Sequence, residues 1–288
     1  MANEANARLV KQAAYASMCV AAVLLLSKLV VWSLSDSTSV LSSMLDSLMD
    51  IVASLVNFFA IRYALMPADE DHPFGHSKAE GIAALLQAAF ICGSVTMLLL
   101  HVADRLLNPQ ALAAIPASIA VMAFSTLLTT ALVLYQRWVH RKTGSLAVKA
   151  DSAHYASDIL TNVAVIGALI GVSLNILWLD PVIALLIALV LLKSVYDIVM
   201  LALDVLMDKA LDPEQEDSIA ALIEKQSGVA GFHDLKTRQS GSVQFIQLHL
   251  ELDGNQPLYQ AHATGDRVEQ AIRQQLPQAE VLIHHDPV

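Results

Sequence analysis

The 288-residue chain is 56% hydrophobic and 15% charged, with a mean hydropathy of +0.55. Soluble domains run at roughly 45–50% apolar and about 25% charged, so the composition calls for a polytopic membrane protein with a soluble part. A formal net charge of −10 argues against a nucleic-acid binder. Cys19 and Cys92 both fall inside apolar runs, which speaks against a disulfide framework. The polar N-terminus leads into an apolar run long enough to be a permanent span, and no cleavable signal peptide is expected.

Spanning a bilayer as a helix takes about 20 residues. Six stretches qualify as transmembrane helices: 13–34, 39–65, 81–107, 111–133, 146–174 and 177–207. Short connections fall at 35–38, around Asn108-Pro109 and at 175–176. The opposite side carries Arg8, Lys11, Arg62, Lys78, Arg137, Arg141, Lys142 and Lys149, whereas the short-loop side has little more than Arg105. The positive-inside rule therefore puts both termini in the cytosol.

From Asp208 onward the character changes, giving a transmembrane domain of 1–207 and a soluble domain of 208–288. The latter has six Lys/Arg against thirteen Asp/Glu, a net −7. Asp212-Pro213-Glu214 opens a helix, with Pro in the first turn and acids near the positive end of the dipole; it runs to about Gln226 and stops at Gly228. In Val243–Leu252, Ile246, Leu248, Leu250 and Leu252 alternate with Gln247, His249 and Glu251, the pattern of a half-buried strand. Residues 232–239 pair with it across the Ser240-Gly241-Ser242 turn. A helix over 257–276 and a strand over 280–286 complete an α-β-β-α-β order, a small α+β layer with helices on one sheet face.

The second span is the anomaly. Asp46 and Asp50 stand four apart and stack on one helix face, a stripe extended by Ser42 or Ser43 and by Asn57. Each aspartate costs roughly 2.5–3.5 kcal/mol at a bilayer centre. The fifth span repeats the device with His154 and Asp158, between Asp151 and Asn162. Together the two pairs make a four-ligand oxygen and nitrogen set that suits tetrahedral Zn²⁺ and tolerates Fe²⁺, Mn²⁺, Cd²⁺ or Co²⁺; with no thiolate, Cu⁺ is disfavoured. Three intramembrane carboxylates cost on the order of 8–10 kcal/mol, within the roughly 10–16 kcal/mol that structural zinc supplies. The span limits put the pairs at unequal depths, yet they are expected to meet.

Two further groups carry ligand chemistry. Asp69-x2-His72-x3-His76 lies on the loop after the second span. The tail holds His233, His249, His262, His284, His285 and Asp286, with His284 and Asp286 on one strand face and His285 on the other. Gly167-x3-Gly171 reads as a packing face. Lys28 and Lys193 lie within spans and receive no role.

The Asp46-x3-Asp50 and His154-x3-Asp158 pairs, six spans and an acidic α-β-β-α-β tail resemble the cation diffusion facilitator family, in its bacterial zinc and ferrous-iron efflux branch, over nearly the whole chain. That resemblance implies a homodimer of the bacterial inner membrane, with a metallochaperone-like tail, that expels cytosolic Zn²⁺, Fe²⁺ or Cd²⁺ in exchange for protons. It makes Asp46, Asp50, His154 and Asp158 the transport site, with Asp69, His72 and His76 a second metal site. His233, His249, His262, His284 and Asp286 become a binuclear cytosolic site in which Zn²⁺ is structural or regulatory; His285 stands where relatives often carry Gln. Lys78 and Asp208 become a salt-bridge hinge between the domains. A membrane-tethered metal sensor is the alternative, but no signalling output signature is present. A metalloprotease lacks its His-Glu-x-x-His, and tight chelation is too sticky for a channel.

Overall fold

Inside a bilayer a chain must satisfy its backbone hydrogen bonds within itself, so long apolar runs fold as helices. The computed structural model describes residues 2–35, 38–107, 116–173, 179–241 and 243–288. Six long helices come first: α1 (Ala2–Ser35), α2 (Thr38–Ala64), α3 (Ala79–Leu107), α4 (Pro116–Thr143), α5 (Leu146–Ser173) and α6 (Leu179–Leu206). The three short connections read from the sequence fall largely outside the described residues. Helix α1 begins well before residue 13 and α4 continues past 133, because a helix does not end where its hydrophobicity does. Helix α4 stops only where Gly144 turns the chain with φ 71°, its amide bonded to the His140 carbonyl at 2.8 Å.

These helices form the first compact unit, Met1–Leu203. Helix α1 packs on α2 and α4, and α2 on α3, while α5 touches α1, α2, α3 and α4. Leu26, Phe59, Leu100, Leu127 and Leu189 are among the large apolar side chains left on the outside, as lipid-facing residues are. Among the described residues, four helices are long and apolar enough to cross a membrane unaided: Ala5–Ser33, Asp46–Ala64, Ala79–Leu100 and Pro181–Leu206. Helix α5 carries Lys149, Asp151, His154 and Asp158, and its central place among four neighbours keeps these groups from lipid.

The second unit, Asp204–Val288, contains α7 (Pro213–Glu224), β1 (Gly231–Ser240), β2 (Val243–Leu252), α8 (Leu258–Gln275) and β3 (Ala279–Pro287). The sheet order is β1-β2-β3, with β1 antiparallel and β3 parallel to β2. A parallel neighbour needs a crossover, and α8 supplies it. Ile246, Leu248, Leu250 and Leu252 are all buried, packed against Ile219 and Ile223 of α7 and Val268 and Ile272 of α8. Both helices thus cover one sheet face and leave the other open.

Candidate metal centres

In the helical unit, α2 and α5 bring three donors together. One ligand atom each from Asp50, His154 and Asp158 lies within 4.8 Å of the others. His154 Nε2 approaches Asp50 Oδ1 at 3.5 Å, longer than an ordinary hydrogen bond. Both His154 ring nitrogens are buried without a hydrogen-bond partner. Donors bound about 2.0–2.1 Å from a tetrahedral ion sit about 3.4 Å apart, so this spacing fits a shared cation better than a direct bond. Asp46 lies one turn earlier on α2, exposed and outside the three-residue group, though within electrostatic reach of Asp158.

The remaining polar residues of the stripe do other work. Asp151, 1% exposed, accepts hydrogen bonds from Ser17 of α1, Gln87 of α3 (3.3 Å) and Gln136 of α4 (2.6 Å), with Asn57 of α2 adding a further side-chain hydrogen bond. It ties α5 to every helix that surrounds it. Asn162 donates to Thr126 of α4 at 2.9 Å. The Tyr155 hydroxyl lies 2.6 Å from that of Ser54 and donates to the Ser17 carbonyl. Glu80, in the first turn of α3, accepts from Ser145 Oγ and from the amide of Leu146, both at 2.9 Å, satisfying an orphan donor at the start of α5. Sequence reasoning named Asp151, Asn57 and Asn162 only as a stripe and missed Ser17, Gln87 and Gln136. Glutamines inside apolar helices were the available signal.

Between α2 and α3 the chain folds back so that Asp69 binds both histidines. Its Oδ1 accepts the His72 amide at 2.7 Å and lies 3.3 Å from His72 Nδ1, while Oδ2 lies 3.3 Å from His76 Nε2. Gly75, at φ 80°, makes the turn that returns His76. The His76 ring is buried against Tyr63, ring centroids 4.5 Å apart, and its other nitrogen faces the Pro67 carbonyl at 3.2 Å. The His72 amide, more than the imidazoles, holds the Asp69 carboxyl below its usual value, so it stays an anionic donor.

On the open sheet face the strand register builds the third centre. His233 pairs with His249, and His249 with His284, so one histidine from each strand stands in a row. Ring centroids are 5.0 and 4.7 Å apart. The register shift between His233 and Lys236, with Asp234 at φ 51°, sets this alignment. Asp286 closes the group: its Oδ2 lies 2.8 Å from His249 Nδ1 and 3.4 Å from His233 Nε2, and its Oδ1 3.3 Å from His284 Nε2. The His249 hydrogen bond foremost keeps the Asp286 carboxyl below its ordinary value. Three imidazoles around one carboxylate fit a zinc-type donor set. Glu251, two residues beyond His249 on the same face, orients His233 by accepting from Nδ1 at 2.9 Å. Its role went unread although the strand alternation had placed it there.

His262 and His285 stand elsewhere. His262 pairs with Asp266 on α8 at 3.2 Å, and its ring lies 6.4 Å from that of His285. His285 turns toward α8, its Nε2 over Gly265, where any Cβ would collide with the ring. Within one chain neither joins the His233–His249–Asp286 group. Asp208 pairs with Arg238 at 2.9 Å, and Lys78 belongs to the other compact unit.

Comparison with known families agrees with this architecture. Residues 14–207 match the cation efflux transmembrane domain and residues 211–288 the cation efflux protein cytoplasmic domain. The cation-efflux pump FieF of Serratia proteamaculans is 46% identical over 281 residues, 98% of this chain and 94% of its own. FieF of Klebsiella pneumoniae is 43% identical over 290 residues, 99% and 95% of the two chains. Among solved structures, the zinc form of the putative zinc transporter CzrB is 34% identical over 28% of this chain and 92% of its own, with a TM-score of 0.27. The metal-bound C-terminal domain of the CzcD transporter from Thermotoga maritima is 27% identical over 26% and 87%, TM-score 0.25. With both family models matched in order along nearly its full length, the chain belongs to the cation efflux, or cation diffusion facilitator, family and is a membrane transporter rather than an enzyme.

Proposed function

We propose that this protein exports a divalent metal ion, Zn²⁺ foremost with Fe²⁺ and Cd²⁺ as further cargo, across the bacterial inner membrane in exchange for protons. The convergence of Asp50, His154 and Asp158 from two helices of the membrane unit carries the reading. Asp46 completes the set as the fourth ligand when the helices close on the ion. All six helices span the bilayer with both termini cytosolic, in keeping with the basic residues gathered on one side. The site opens alternately to the two faces of the membrane. Facing the cytosol, its deprotonated ligands take the ion; facing outward, protons displace it, because metal and proton compete for the same lone pairs. His154 is the coupling residue of that exchange, as the only imidazole of the set.

Asp69, His72 and His76 form a second, loop metal site. In the tail His233, His249, His284 and Asp286 would hold a resident metal, which would supply a rigid cross-link over the open sheet face. The family model over 211–288 is named for dimer formation, and the open face is where a second copy docks. Metal held there would tighten the dimer and raise transport.

Proteoliposomes loaded with a zinc-sensitive dye and given a proton gradient test the assignment. The parent moves Zn²⁺ against the opposed proton flow at a few ions per second, while Asp50→Ala and Asp46→Ala/Asp50→Ala do not. Undiminished gradient-driven flux in the double variant would overturn the site.

A further inference from the structure

Lys28 lies on α1 inside the apolar span Ala5–Ser33, where an ammonium group is expensive without nearby anions. Its side chain is half-buried and donates to Ser47 Oγ of α2 at 2.6 Å. Ser47 follows Asp46 and precedes Asp50 by three residues. Asp50, Asp158 and Asp46 all act electrostatically on the Lys28 ammonium. Helices α1 and α2 pack directly on each other, so the lysine is fixed beside the site rather than reaching it from solvent.

The charge count gives this placement a meaning. Three carboxylates and a neutral imidazole around a divalent ion leave one negative charge uncompensated. An unbalanced charge in a low-dielectric interior costs several kilocalories per mole, and it would ride through every reorientation of the loaded site. Lys28 supplies one positive charge at that place. We propose that Lys28 is the fixed counter-ion of the transport site: it makes the cargo-loaded site neutral and holds its affinity low enough for the ion to leave. The inference rests on the transport-site reading above. Lys28 touches no cargo; it is a positioning charge that acts through the carboxylates.

The test is a charge series in the full-length protein: Lys28→Met, Lys28→Gln and Lys28→Arg. Zn²⁺ binding is followed by calorimetry at about pH 8, where protons compete least, and the transport-site isotherm is identified as the one that Asp50→Ala abolishes. Lys28→Met and Lys28→Gln are expected to bind Zn²⁺ at least about tenfold more tightly, the effect of removing a nearby like charge. In flux assays the same two variants show a lower KM and a lower kcat, since the ion leaves more slowly. Lys28→Arg stays within about threefold of the parent because the charge remains. Glutamine retains a donor for Ser47, so a lysine that served only as a helix–helix hydrogen bond would leave Lys28→Gln like the parent. That result, or weakened binding in Lys28→Met, overturns the proposal. Should Asp50→Ala abolish no isotherm, the transport-site reading itself falls, whatever the Lys28 variants do.

Discussion

Asp151→Ala should loosen the helical unit by about 2–4 kcal/mol, and the network itself sets that figure. The carboxyl group receives side chains from all four helices around α5. Hydrogen bonds inside membrane proteins average about 0.6 kcal/mol and reach about 1.7, while bonds to a charged acceptor run to about 1.5–3. Partial rebonding lowers the total. Gln87 Nε2 keeps the Ala53 carbonyl at 3.2 Å, Gln136 Nε2 keeps Ser17 Oγ at 2.8 Å, and Ser17 keeps the Ala13 carbonyl at 3.1 Å. A unit of this size loses about 2–4 °C of Tm per kcal/mol, so the detergent-solubilised variant should melt about 4–16 °C below the parent. Asp151→Asn preserves shape and one acceptor oxygen but turns an amide N–H₂ toward a donor, and should lose about 1 kcal/mol. A Tm for Asp151→Ala within about 1 °C of the parent would refute the idea that this residue fastens α5 to its neighbours.

Two further outcomes concern the second unit, Asp204–Val288. Burial foremost, then the neighbouring His262 and His284, hold the His285 imidazole below the usual histidine range. A folded value below the unfolded one of about 6.5 means that the stability tied to this residue is fully present above that pH and is lost as pH falls through the folded value. His285→Gln should therefore flatten the decline in thermal stability of the metal-free protein between about pH 7.5 and about pH 5; an identical decline would contradict the assignment. Ile246→Ala empties a fully buried position between sheet and helices and should cost about 2–5 kcal/mol in denaturant unfolding of that unit, with a loss under about 1 kcal/mol counting against that packing.

Much was legible in one dimension because apolar periodicity and donor spacing are local properties. Long apolar runs gave the helices, strict alternation in Val243–Leu252 gave the buried face of β2, and i, i+4 spacing put Asp46 with Asp50 and His154 with Asp158. Helix ends were less legible: α1 and α4 outrun their apolar segments because backbone hydrogen bonding continues through polar residues. The polar groups of α5, Lys149, Asp151, His154 and Asp158, are sheltered by neighbours that a hydropathy reading of one segment does not see.

The sequence by itself determined which residue types were available and on which face of their own helix or strand each one stood, for those follow from a rise and a rotation per residue. Only tertiary structure decided the company they keep. Helix packing sorted one polar stripe of α5 into Asp151, committed to holding four helices, and His154 with Asp158, turned toward Asp50. Strand register lined up His233, His249 and His284, and the packing of α8 set His262 beside His285. The proximity of Lys28 to the aspartates came from α1 lying against α2. Each of these depends on distances between segments far apart in the chain, and no local periodicity encodes them.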